Sequence, residues 1–499
     1  MTNHRNNIDD HAEEHSFSSD YLLLRASEAS LLDLIRLIRG HGSVKGRKFL
    51  ERRYRVDGSE LRDELNSRLL VLVSVVGQMV LLWLKKPMTL VGYLVETWLN
   101  LVICNGGFIK LLINFVTGKA VRPDAEGAAF RTMIGNLDTR LNLDPIISCN
   151  NHICYDCHVQ HDNNHDAGGK HCNITAFICI MAAKLSYENS ATIHVVVEDR
   201  WKMKLLGSFT FWNDFTGKLC AKAMMMQKST MDKDLIVVSF KGTAPFDADD
   251  WATDINMSWY ELQGVGKIHA GFMRALGLQR RKGWPKEVDM GTDQPKFAYY
   301  TIREKLRTIM QENKNARFVL TGHSLGGALA ILFVTVLILH EEDKLLERLE
   351  GVYTFGQPRV GDRLFGEFME AKLWDHDVGH FRYVYCNDMV PRMPFDRKSV
   401  LYKHFGTCLY YNSFYQPKVM QEEPNKNYFS IKWFIPVHVN AAWELIRSFT
   451  LHWTKGPDFK EGGCLRFFRL VGFFFPGLSA HGPQDYDNLA RLSIDASFP

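Results

Sequence analysis

A serine between two glycines, placed where an apolar strand is followed by an apolar helix, constrains the fold of this chain more than any other feature. The stretch reads GHSLG, with Gly322, Ser324 and Gly326, and it follows the apolar run RFVLTG. In such a strand–turn–helix arrangement the turn is so tight that larger side chains beside the serine would collide. Ser324 then projects at the carboxyl edge of a sheet, at a helix N-terminus whose dipole stabilises developing negative charge. The pattern predicts a nucleophilic serine that also begins a helix.

Segments with the periods of strands and helices alternate around this serine. In chain order we interpret them as strand, helix, strand, helix, strand and strand: LIVVSFKGT, FAYYTIREKLRTIMQEN, RFVLTG, SLGGALAILFVTVLILH, LEGVYTFG and HFRYVYCND. Apolar strands that alternate with helices predict an α/β fold with a mainly parallel central sheet covered by helices. Further upstream, the β-branched stretch HVVVED predicts another strand.

A nucleophilic serine needs a base and an orienting carboxylate, which in hydrolases with this turn follow in the order serine, acid, histidine. Asp388 ends the strand HFRYVYCND, so it lies where a neighbouring strand brings its carboxyl end to the same edge of the sheet. The rival acids are Asp362, Asp375, Asp377 and Asp396. The first three precede that strand end and are typical of solvated loop acids.

Four histidines follow Asp388, namely His404, His438, His452 and His481. The first lies in an aromatic run and the next two flank a predicted helix, AAWELIRSF, so packing explains all three. His481 lies in the small-residue loop LSAHGPQDY, directly after an apolar stretch, and such a supported loop is a typical place for a catalytic base. The pattern favours His481 without excluding the others, since geometry decides such assignments.

The oxyanion of a tetrahedral intermediate needs two backbone N–H donors. One comes from the residue after the nucleophile, Leu325, and the other from a loop after an earlier strand. VSFKGT supplies such a loop, in which Thr243 can donate its N–H and its hydroxyl. The alternative is that Gly242 and Thr243 form only a turn.

The most apolar part of the chain, residues 69–116, precedes these segments. Its first run, LLVLVSVVGQMVLLWL, is shorter than the about 20 residues that a spanning helix needs, and its second run contains Glu96 and Lys110. Because an unpaired ammonium is costly to bury, Lys85 and Lys86 predict a turn at the water surface between two helices that lie in a lipid monolayer. Three aromatic side chains suit that interface: Trp83, Tyr93 and Trp98. The alternatives are a buried helical pair packed on the globular part and a hairpin in the endoplasmic reticulum membrane.

Two polar segments carry weaker signals. KGRKFLERRYR, residues 45–55, predicts either a solvated surface helix or a basic face for anionic lipid. Residues 149–172 contain four cysteines and five histidines, among them a C-x-x-C pair at Cys154 and Cys157 that is able to bind zinc. No second pair follows at zinc-finger spacing, so we prefer a polar surface loop without metal.

The composition limits the classes of binding partner and the cellular compartment that we expect for this chain. The 60 basic and 56 acidic residues give a net charge of +4, which is close to balanced for 499 residues, so no nucleic-acid partner is expected. The ten cysteines show no spacing pattern typical of a disulfide framework, and the N-terminal 60 residues have no secretory signal pattern. We therefore expect a reducing, cytosol-facing location with mostly free thiols.

Six ordered motifs resemble the class 3 lipases, the fungal-type family of α/β-hydrolases with plant relatives. They are VSFKGTAPFDADDWATDI, HAGFMRAL, TGHSLGGALA, YTFGQPRVGD, CNDMVPRMP and HGPQDY, within residues 235–486. Together with the apolar region upstream, they are most similar to plant oil-body lipases. The resemblance implies Ser324 as nucleophile, Asp388 as acid and His481 as base, with an oxyanion hole from Thr243 and Leu325. It also implies a lid or substrate-side loop that begins after Thr243.

This resemblance implies a triacylglycerol lipase that acts at the cytosolic surface of lipid droplets, or else at the endoplasmic reticulum membrane, without metal or organic cofactor. The rival functions are a phospholipase A1 or galactolipase and, less favoured, an inert droplet coat or tethering protein. The expected division of the chain is a polar and basic region at 1–67, an apolar lipid-associating segment at 68–120, a connecting region at 121–175 and the lipase domain at 176–499.

Overall fold

The computed structural model describes residues 20–30, 32–35, 48–53, 61–143, 172–213, 216–230, 233–279, 283–288, 296–394, 396–397, 400–428 and 431–494. Apart from Cys172, the cysteine- and histidine-rich tract lies outside these residues. The strands are β1 (Tyr21–Leu24), β2 (Leu50–Arg53), β3 (Lys204–Asn213), β4 (Lys218–Ser229), β5 (Asp234–Phe240), β6 (Trp259–Leu262), β7 (Gly266–His269), β8 (Ala316–His323), β9 (Leu349–Phe355), β10 (Gly361–Asp362), β11 (Gly379–Tyr385), β12 (Asp396–Arg397), β13 (Val400–Lys403), β14 (Thr407–Tyr411) and β15 (Pro417–Met420). The helices are α1 (Leu61–Cys104), α2 (Phe108–Val116), α3 (Met133–Leu137), α4 (Asn173–Leu185), α5 (Ser190–His194), α6 (Ala248–Asp254), α7 (Ala270–Leu276), α8 (Ala298–Glu312), α9 (Leu325–Leu339), α10 (Asp343–Leu346), α11 (Arg363–Asp375), α12 (Phe434–Lys455), α13 (Gly463–Phe474), α14 (Pro476–Ser479) and α15 (Pro483–Ser493).

A mainly parallel sheet forms the centre of the molecule, in the strand order β15-β14-β11-β9-β8-β5-β4-β3. The strands from β14 to β5 in this order pair in parallel, whereas β15, β4 and β3 add antiparallel edges. Because parallel strands run in the same direction, their carboxyl ends lie together at one edge of the sheet. The predicted α/β architecture is confirmed, and β5, β8 and β11 all end at the edge where the predicted site residues lie.

Helices cover both faces of this sheet, as predicted. On one face α9 is buried along almost its whole length, and its Leu329 and Phe333 share an apolar core with Leu306 of α8. On the other face Phe177 of α4 and Leu489 of α15 belong to a second core together with side chains of β9 and β11. Close packing on both faces gives the carboxyl ends of the strands fixed positions.

The N-terminal residues join a second, smaller sheet in the order β12-β13-β10-β7-β6-β1-β2. Tyr21 of β1 pairs with Tyr260 of β6 on one side and with Arg53 of β2 on the other. The basic segment therefore contains an edge strand, and the predicted surface helix there is wrong. Phe49 and Leu50 are buried in a small apolar core, and this burial outweighs the helix preference of the basic residues.

The stretch HVVVED is helical, and the predicted strand is wrong. The Asn189 side chain accepts a hydrogen bond from the Thr192 N–H at 2.8 Å and so begins α5, which continues into a π-helical turn at Val195–Arg200. Val196 is buried in the second core. The strand preference of valine is weak compared with such packing.

The apolar region forms one long helix, α1, which continues through Lys85 and Pro87. The predicted turn at that point is therefore wrong. Lys85 Nζ lies 2.8 Å from Asp249 Oδ2 in the globular domain, and Lys86 is exposed. The cost of a buried, unpaired ammonium, which led us to expect a turn, therefore applies to neither lysine. The chain turns later, at Gly106 and Gly107, which both have positive φ.

One face of α1 packs on the globular domain. The Ser74 hydroxyl donates to the Ile255 carbonyl at 3.0 Å. A Cβ on Gly92 would lie 2.7 Å from the Phe246 Cβ, so glycine is required there, and a Cβ on Gly77 would lie 2.8 Å from the end of the Ile255 side chain. The other face of α1 and most of α2 are exposed and apolar.

The exposed apolar side chains of these two helices are Trp83, Leu90, Tyr93, Leu94, Trp98, Phe108, Ile109 and Phe115. By length and composition alone, α1 is also able to cross a membrane.

Candidate active site

Ser324 occupies the turn between β8 and α9 with φ 58° and ψ −131°. A Cβ on Gly322 would overlap the backbone of Gly326, and a Cβ on Gly326 would overlap the carbonyl group of Phe240. Both flanking positions therefore require glycine, for the steric reason that the sequence indicated. A non-glycine residue with positive φ is strained, and such strain is concentrated at functional positions.

The predicted serine, base and acid lie in one hydrogen-bonded row. His481 Nε2 is 2.8 Å from Ser324 Oγ. His481 Nδ1 is 2.8 Å from Asp388 Oδ2 and 3.0 Å from Oδ1. A carboxylate accepts hydrogen bonds, so Nδ1 carries the imidazole proton and Nε2 accepts from the serine hydroxyl. This tautomer is the one that allows His481 to act as a general base toward Ser324.

Further hydrogen bonds hold Asp388 in place. The Tyr486 hydroxyl donates to Oδ2 at 2.5 Å, and the Val390 N–H donates to Oδ1 at 2.8 Å. Burial, together with the neighbouring carboxylate, raises the pKa of Tyr486 well above its usual value, so the phenol remains a donor. Tyr486 is the last residue of the HGPQDY motif, and its contact with the acid was not predicted from the sequence.

The candidate acids and histidines other than Asp388 and His481 lie elsewhere in the structure. Asp362 caps α11 by accepting a hydrogen bond from the Phe365 N–H at 3.0 Å. His404 Nε2 lies 2.6 Å from the Pro391 carbonyl oxygen. The remaining rivals are distributed over the end of α11, β12 and α12: Asp375, Asp377, Asp396, His438 and His452. Among the side chains that the structure describes, only Asp388 and His481 of the predicted acids and histidines form the row that ends at Ser324.

The loop after β5 passes directly beside the serine. A Cβ on Gly242 would lie 3.1 Å from the Ser324 Cβ. Thr243 follows and is buried, and its hydroxyl donates to Asp254 Oδ2 at 2.7 Å. Leu325, which carries the other predicted N–H donor, is the first residue of α9. Thr243 and Leu325, the residues that carry the two predicted oxyanion donors, therefore follow two different strand ends close to Ser324.

Asp254 fixes the Thr243 side chain, and this contact was not predicted from the sequence. Burial raises the pKa of Asp254 well above its ordinary value. Its Oδ1 atom has no hydrogen-bond partner among the described residues. An ionised carboxylate would be costly in such a position, so we infer a neutral carboxyl at pH 7.

We expect Asp254→Asn to keep most of the wild-type kcat on a soluble short-chain ester, because an amide reproduces a neutral acceptor for the Thr243 hydroxyl. Asp254→Val should lower kcat about tenfold, less than the about 10²- to 10³-fold that follows loss of an oxyanion donor itself. Steady-state kinetics with p-nitrophenyl butyrate measure both variants. If Asp254→Asn were as slow as Asp254→Val, the inferred neutral carboxyl would be wrong.

A second histidine, His323, packs against His481 with a ring-centroid distance of 4.6 Å. His323 Nε2 lies 2.8 Å from the carbonyl oxygen of His481, and His323 Nδ1 lies 2.9 Å from the Tyr187 hydroxyl. A carbonyl oxygen only accepts, so Nε2 is protonated and Nδ1 accepts from Tyr187. Burial lowers the pKa of His323 well below its usual value, which keeps this ring neutral. His323 lies next to the nucleophile in GHSLG, so that position was a signal available in the sequence.

The segment after Thr243, where the resemblance implies a lid, forms α6. Trp251 Nε1 donates a hydrogen bond to the Pro245 carbonyl at 3.2 Å, and this bond lies within the segment. The long helix α1 packs on the same segment. Ser324 is 2% exposed and His481 is 8% exposed, so the reacting atoms are largely covered in this conformation.

Known proteins resemble this chain over different lengths. A family model described as Lipase (class 3) matches residues 237–398. "Triacylglycerol lipase OBL1" of Arabidopsis thaliana is 39% identical over 500 residues, which cover 96% of this chain and 95% of that protein. "Phospholipase A1-IIbeta" of the same plant is 26% identical over 32% of this chain and 39% of its own length. The solved structure of Rhizomucor miehei triacylglyceride lipase matches with a TM-score of 0.35 and 23% identity, over 47% of this chain and 78% of that chain.

Proposed function

The chain belongs to the class 3 lipase family, and we propose that it is a triacylglycerol lipase with Ser324 as nucleophile, His481 as base and Asp388 as acid. The family resemblance that the sequence motifs predicted is confirmed, since 39% identity extends over 96% of the chain. The observation that carries the assignment of roles is the continuous row of hydrogen bonds from Asp388 through His481 to Ser324.

The geometry supports an acyl-enzyme mechanism. His481 Nε2 takes the proton of Ser324 while Oγ attacks the ester carbonyl carbon, and Asp388 stabilises the imidazolium that forms. The backbone N–H groups of Leu325 and Thr243 donate to the oxyanion. His481 then returns the proton to the departing alcohol as the ester C–O bond breaks. Water, activated by the same imidazole, hydrolyses the acyl-enzyme and frees the fatty acid.

Triacylglycerol is the preferred substrate, and a phospholipid or galactolipid is the alternative. The relative named as a triacylglycerol lipase matches almost the whole chain, whereas the relative named as a phospholipase A1 matches about a third of it. Parallel assays on triolein, phosphatidylcholine and monogalactosyl diacylglycerol separate the two. We expect triolein to have the highest kcat/KM, and a triolein value below both others would favour the alternative.

The surface of lipid droplets, facing the cytosol, is the proposed site of action. The exposed aromatic and aliphatic side chains of α1 and α2 provide an apolar face for a lipid monolayer. The pairing of Lys85 with Asp249 holds that ammonium group against the globular domain, away from the exposed face. A fluorescent fusion in lipid-storing cells should concentrate on droplets. A reticular pattern in cells that contain droplets would favour the endoplasmic reticulum instead.

Replacing three exposed aromatic residues of α1 should release the protein from droplets. We expect Trp83→Ser, Tyr93→Ser and Trp98→Ser together to lower the partition coefficient at least about a hundredfold, because burial of each large apolar side chain in lipid contributes about 1.5–3 kcal/mol. Flotation with phospholipid-coated triolein droplets measures the partition, and the thermal unfolding midpoint checks folding. Unchanged flotation of a folded triple variant would contradict the proposed surface.

A matched control is available on the globular domain. Trp374 of α11 is 58% exposed and Trp83 of α1 is 80% exposed, so both are surface tryptophans. Trp374→Ser should leave both flotation and triolein hydrolysis unchanged. An equal loss of flotation in Trp374→Ser would mean that general surface hydrophobicity, rather than α1, holds the protein on lipid.

A further inference from the structure

A cavity of about 550 Å³ opens between α12, α13 and the chain segments next to the triad. This volume lies within the about 300–1,000 Å³ that is typical of sites for small molecules. Its walls come from Val437 of α12, Phe475 after α13, Met389 after the catalytic acid, and Gly477 and Leu478 of α14. Ser324, His481 and Thr243 do not line it, so the cavity lies beside the reacting atoms rather than around them.

The walls of this cavity suit a hydrocarbon and nothing charged. None of the lining residues is an acid, a lysine or an arginine, and only Tyr428, Trp433 and His438 carry polar side-chain atoms. His438 Nδ1 already lies 2.8 Å from the Phe434 carbonyl oxygen of its own helix. A charged head group would lose its hydration in such a place without gaining a partner, whereas a hydrocarbon chain loses only its contact with water.

The cavity shares its walls with the segments that hold the acid and the base. Met389 directly follows Asp388, and its N–H donates to the Gly477 carbonyl at 3.4 Å. A Cβ on Gly477 would lie 2.6 Å from the Tyr428 hydroxyl oxygen and 2.8 Å from the Met389 Cβ, so these walls are in close contact. An occupant of the cavity therefore contacts Met389, which directly follows Asp388, and Leu478, which is three residues before His481.

A buried ionic cluster connects the two helices of the cavity to α15, the helix that begins two residues after His481. Arg447 of α12 and Arg469 of α13 both contact Asp485 Oδ1 at 3.0 Å, and Asp485 is four residues after His481. Arg469 also lies 2.6 Å from Glu461. Removal of one partner from such a buried set would leave an uncompensated charge, so the helices keep their orientation. The cavity is thus preformed, which lowers the entropic cost of binding.

The mouth of the cavity is lined by exposed aromatic side chains. Phe434 at the start of α12, Phe474 at the end of α13 and Phe475 beyond it are all mostly exposed. The outer faces of the same helices carry further exposed apolar side chains: Val439, Ile446, Phe449, Trp453, Phe467 and Leu470. An entrance with this chemistry faces lipid more favourably than water.

We propose that this cavity binds one hydrocarbon chain of an acylglycerol while the ester of another chain reacts at Ser324. The inference rests on the proposed function above and extends it from the reacting ester to the rest of the substrate. The acylglycerol is favoured over a free fatty acid because the walls offer no lysine or arginine for a carboxylate.

Photolabelling of the full chain tests the occupant directly. The probe is a dialkyl ether analogue of diacylglycerol with a diazirine in one chain, which cannot be hydrolysed, and a diazirine fatty acid serves as the second arm. We expect the ether probe to label residues 434–438 and 474–478, and an excess of unlabelled dialkyl ether to reduce this labelling at least fivefold. Labelling confined to other regions, or labelling of these residues by the fatty acid alone, would overturn the proposal.

Two valines provide the matched variants. Val437 of α12 is 5% exposed and lines the cavity, whereas Val419 of β15 is 52% exposed and does not. Val437→Trp should lower the ratio of kcat/KM for triolein to that for tributyrin at least about tenfold, because several methylene contacts are lost only for the long chain. Val419→Trp should leave this ratio unchanged. An unchanged ratio in a folded Val437→Trp variant would overturn the proposal, and photolabelling decides alone if that variant does not fold.

Failure of this inference and failure of the proposed function have different signatures. If only the cavity assignment is wrong, triolein hydrolysis still depends on Ser324 and residues 434–438 and 474–478 remain unlabelled. If the proposed function is wrong, hydrolysis of triolein and tributyrin is independent of Ser324, whatever the cavity binds.

Discussion

Ser324→Ala should reduce triolein hydrolysis at least about 10⁴-fold, because removal of the nucleophile from a catalytic triad leaves only the contribution of substrate binding and the oxyanion hole. His481 Nε2, which lies 2.8 Å from Ser324 Oγ, then has no hydroxyl to deprotonate. A pH-stat assay on emulsified triolein measures the rate. A pre-steady-state assay should also show no burst of diacylglycerol, the alcohol that departs when the acyl-enzyme forms.

The Ser324→Ala variant should still fold and still bind lipid. Ser324 is buried, and its side chain contacts the base rather than the apolar core, so we expect little change in the thermal unfolding midpoint. The exposed face of α1 is untouched, and flotation with droplets should match that of the wild type. Hydrolysis within a few-fold of the wild-type rate in a folded variant would refute the assignment of Ser324.

Asp388→Asn should lower kcat on triolein and on soluble esters by about 10³- to 10⁴-fold, with little change in KM. The carboxylate accepts from His481 Nδ1 at 2.8 Å and so sets the tautomer in which Nε2 is free to accept the serine proton. An asparagine amide is able to donate to Nδ1 instead, which places the proton on the wrong nitrogen. Steady-state kinetics with p-nitrophenyl butyrate separate kcat from KM.

Tyr486→Phe is the matched control for the acid. It removes the 2.5 Å hydrogen bond to Asp388 Oδ2 but leaves the bond between Asp388 and His481. We expect a decrease in kcat of about tenfold, in proportion to one lost hydrogen bond to a charged group. If Asp388→Asn lost no more activity than Tyr486→Phe, another carboxylate would have to orient the base. Asp362 and Asp396 would then again be candidates for the acid.

The correctly predicted features of the fold, and the candidate site residues that the structure brings together, are encoded locally in the sequence. The turn around Ser324 depends on glycines two residues away on either side, and the alternation of strands and helices depends on short apolar periods. The order of acid and base along the chain then limited the choice to Asp388 and a few histidines. The parallel sheet brought the ends of β8 and β11 to one edge, so these side chains meet although they are far apart in the chain.

The features that were missed or wrong depend on distant partners. Lys85 predicted a turn because its partner, Asp249, lies more than 150 residues away in the chain. Asp254 and Tyr486 act on Thr243 and Asp388 through contacts that exist only once the sheet has formed.

Dependence on distant partners also explains the elements whose predicted secondary structure was wrong. The edge strand β2 and the helical HVVVED stretch are determined by burial against other elements, and local propensity is a weak guide in such places. The cavity beside the triad likewise combines α12, α13 and α14 with the residue after Asp388, and apolar periodicity alone shows no such juxtaposition.

Covalent labelling with a fluorophosphonate serine probe is the most direct test of the proposed chemistry. The probe phosphonylates an activated serine, and peptide mass spectrometry identifies the modified residue. We predict a single adduct, on Ser324, with triolein hydrolysis lost in proportion to the labelled fraction, and no labelling in Ser324→Ala. An adduct on a different serine, or full triolein hydrolysis by completely labelled protein, would contradict the assignment.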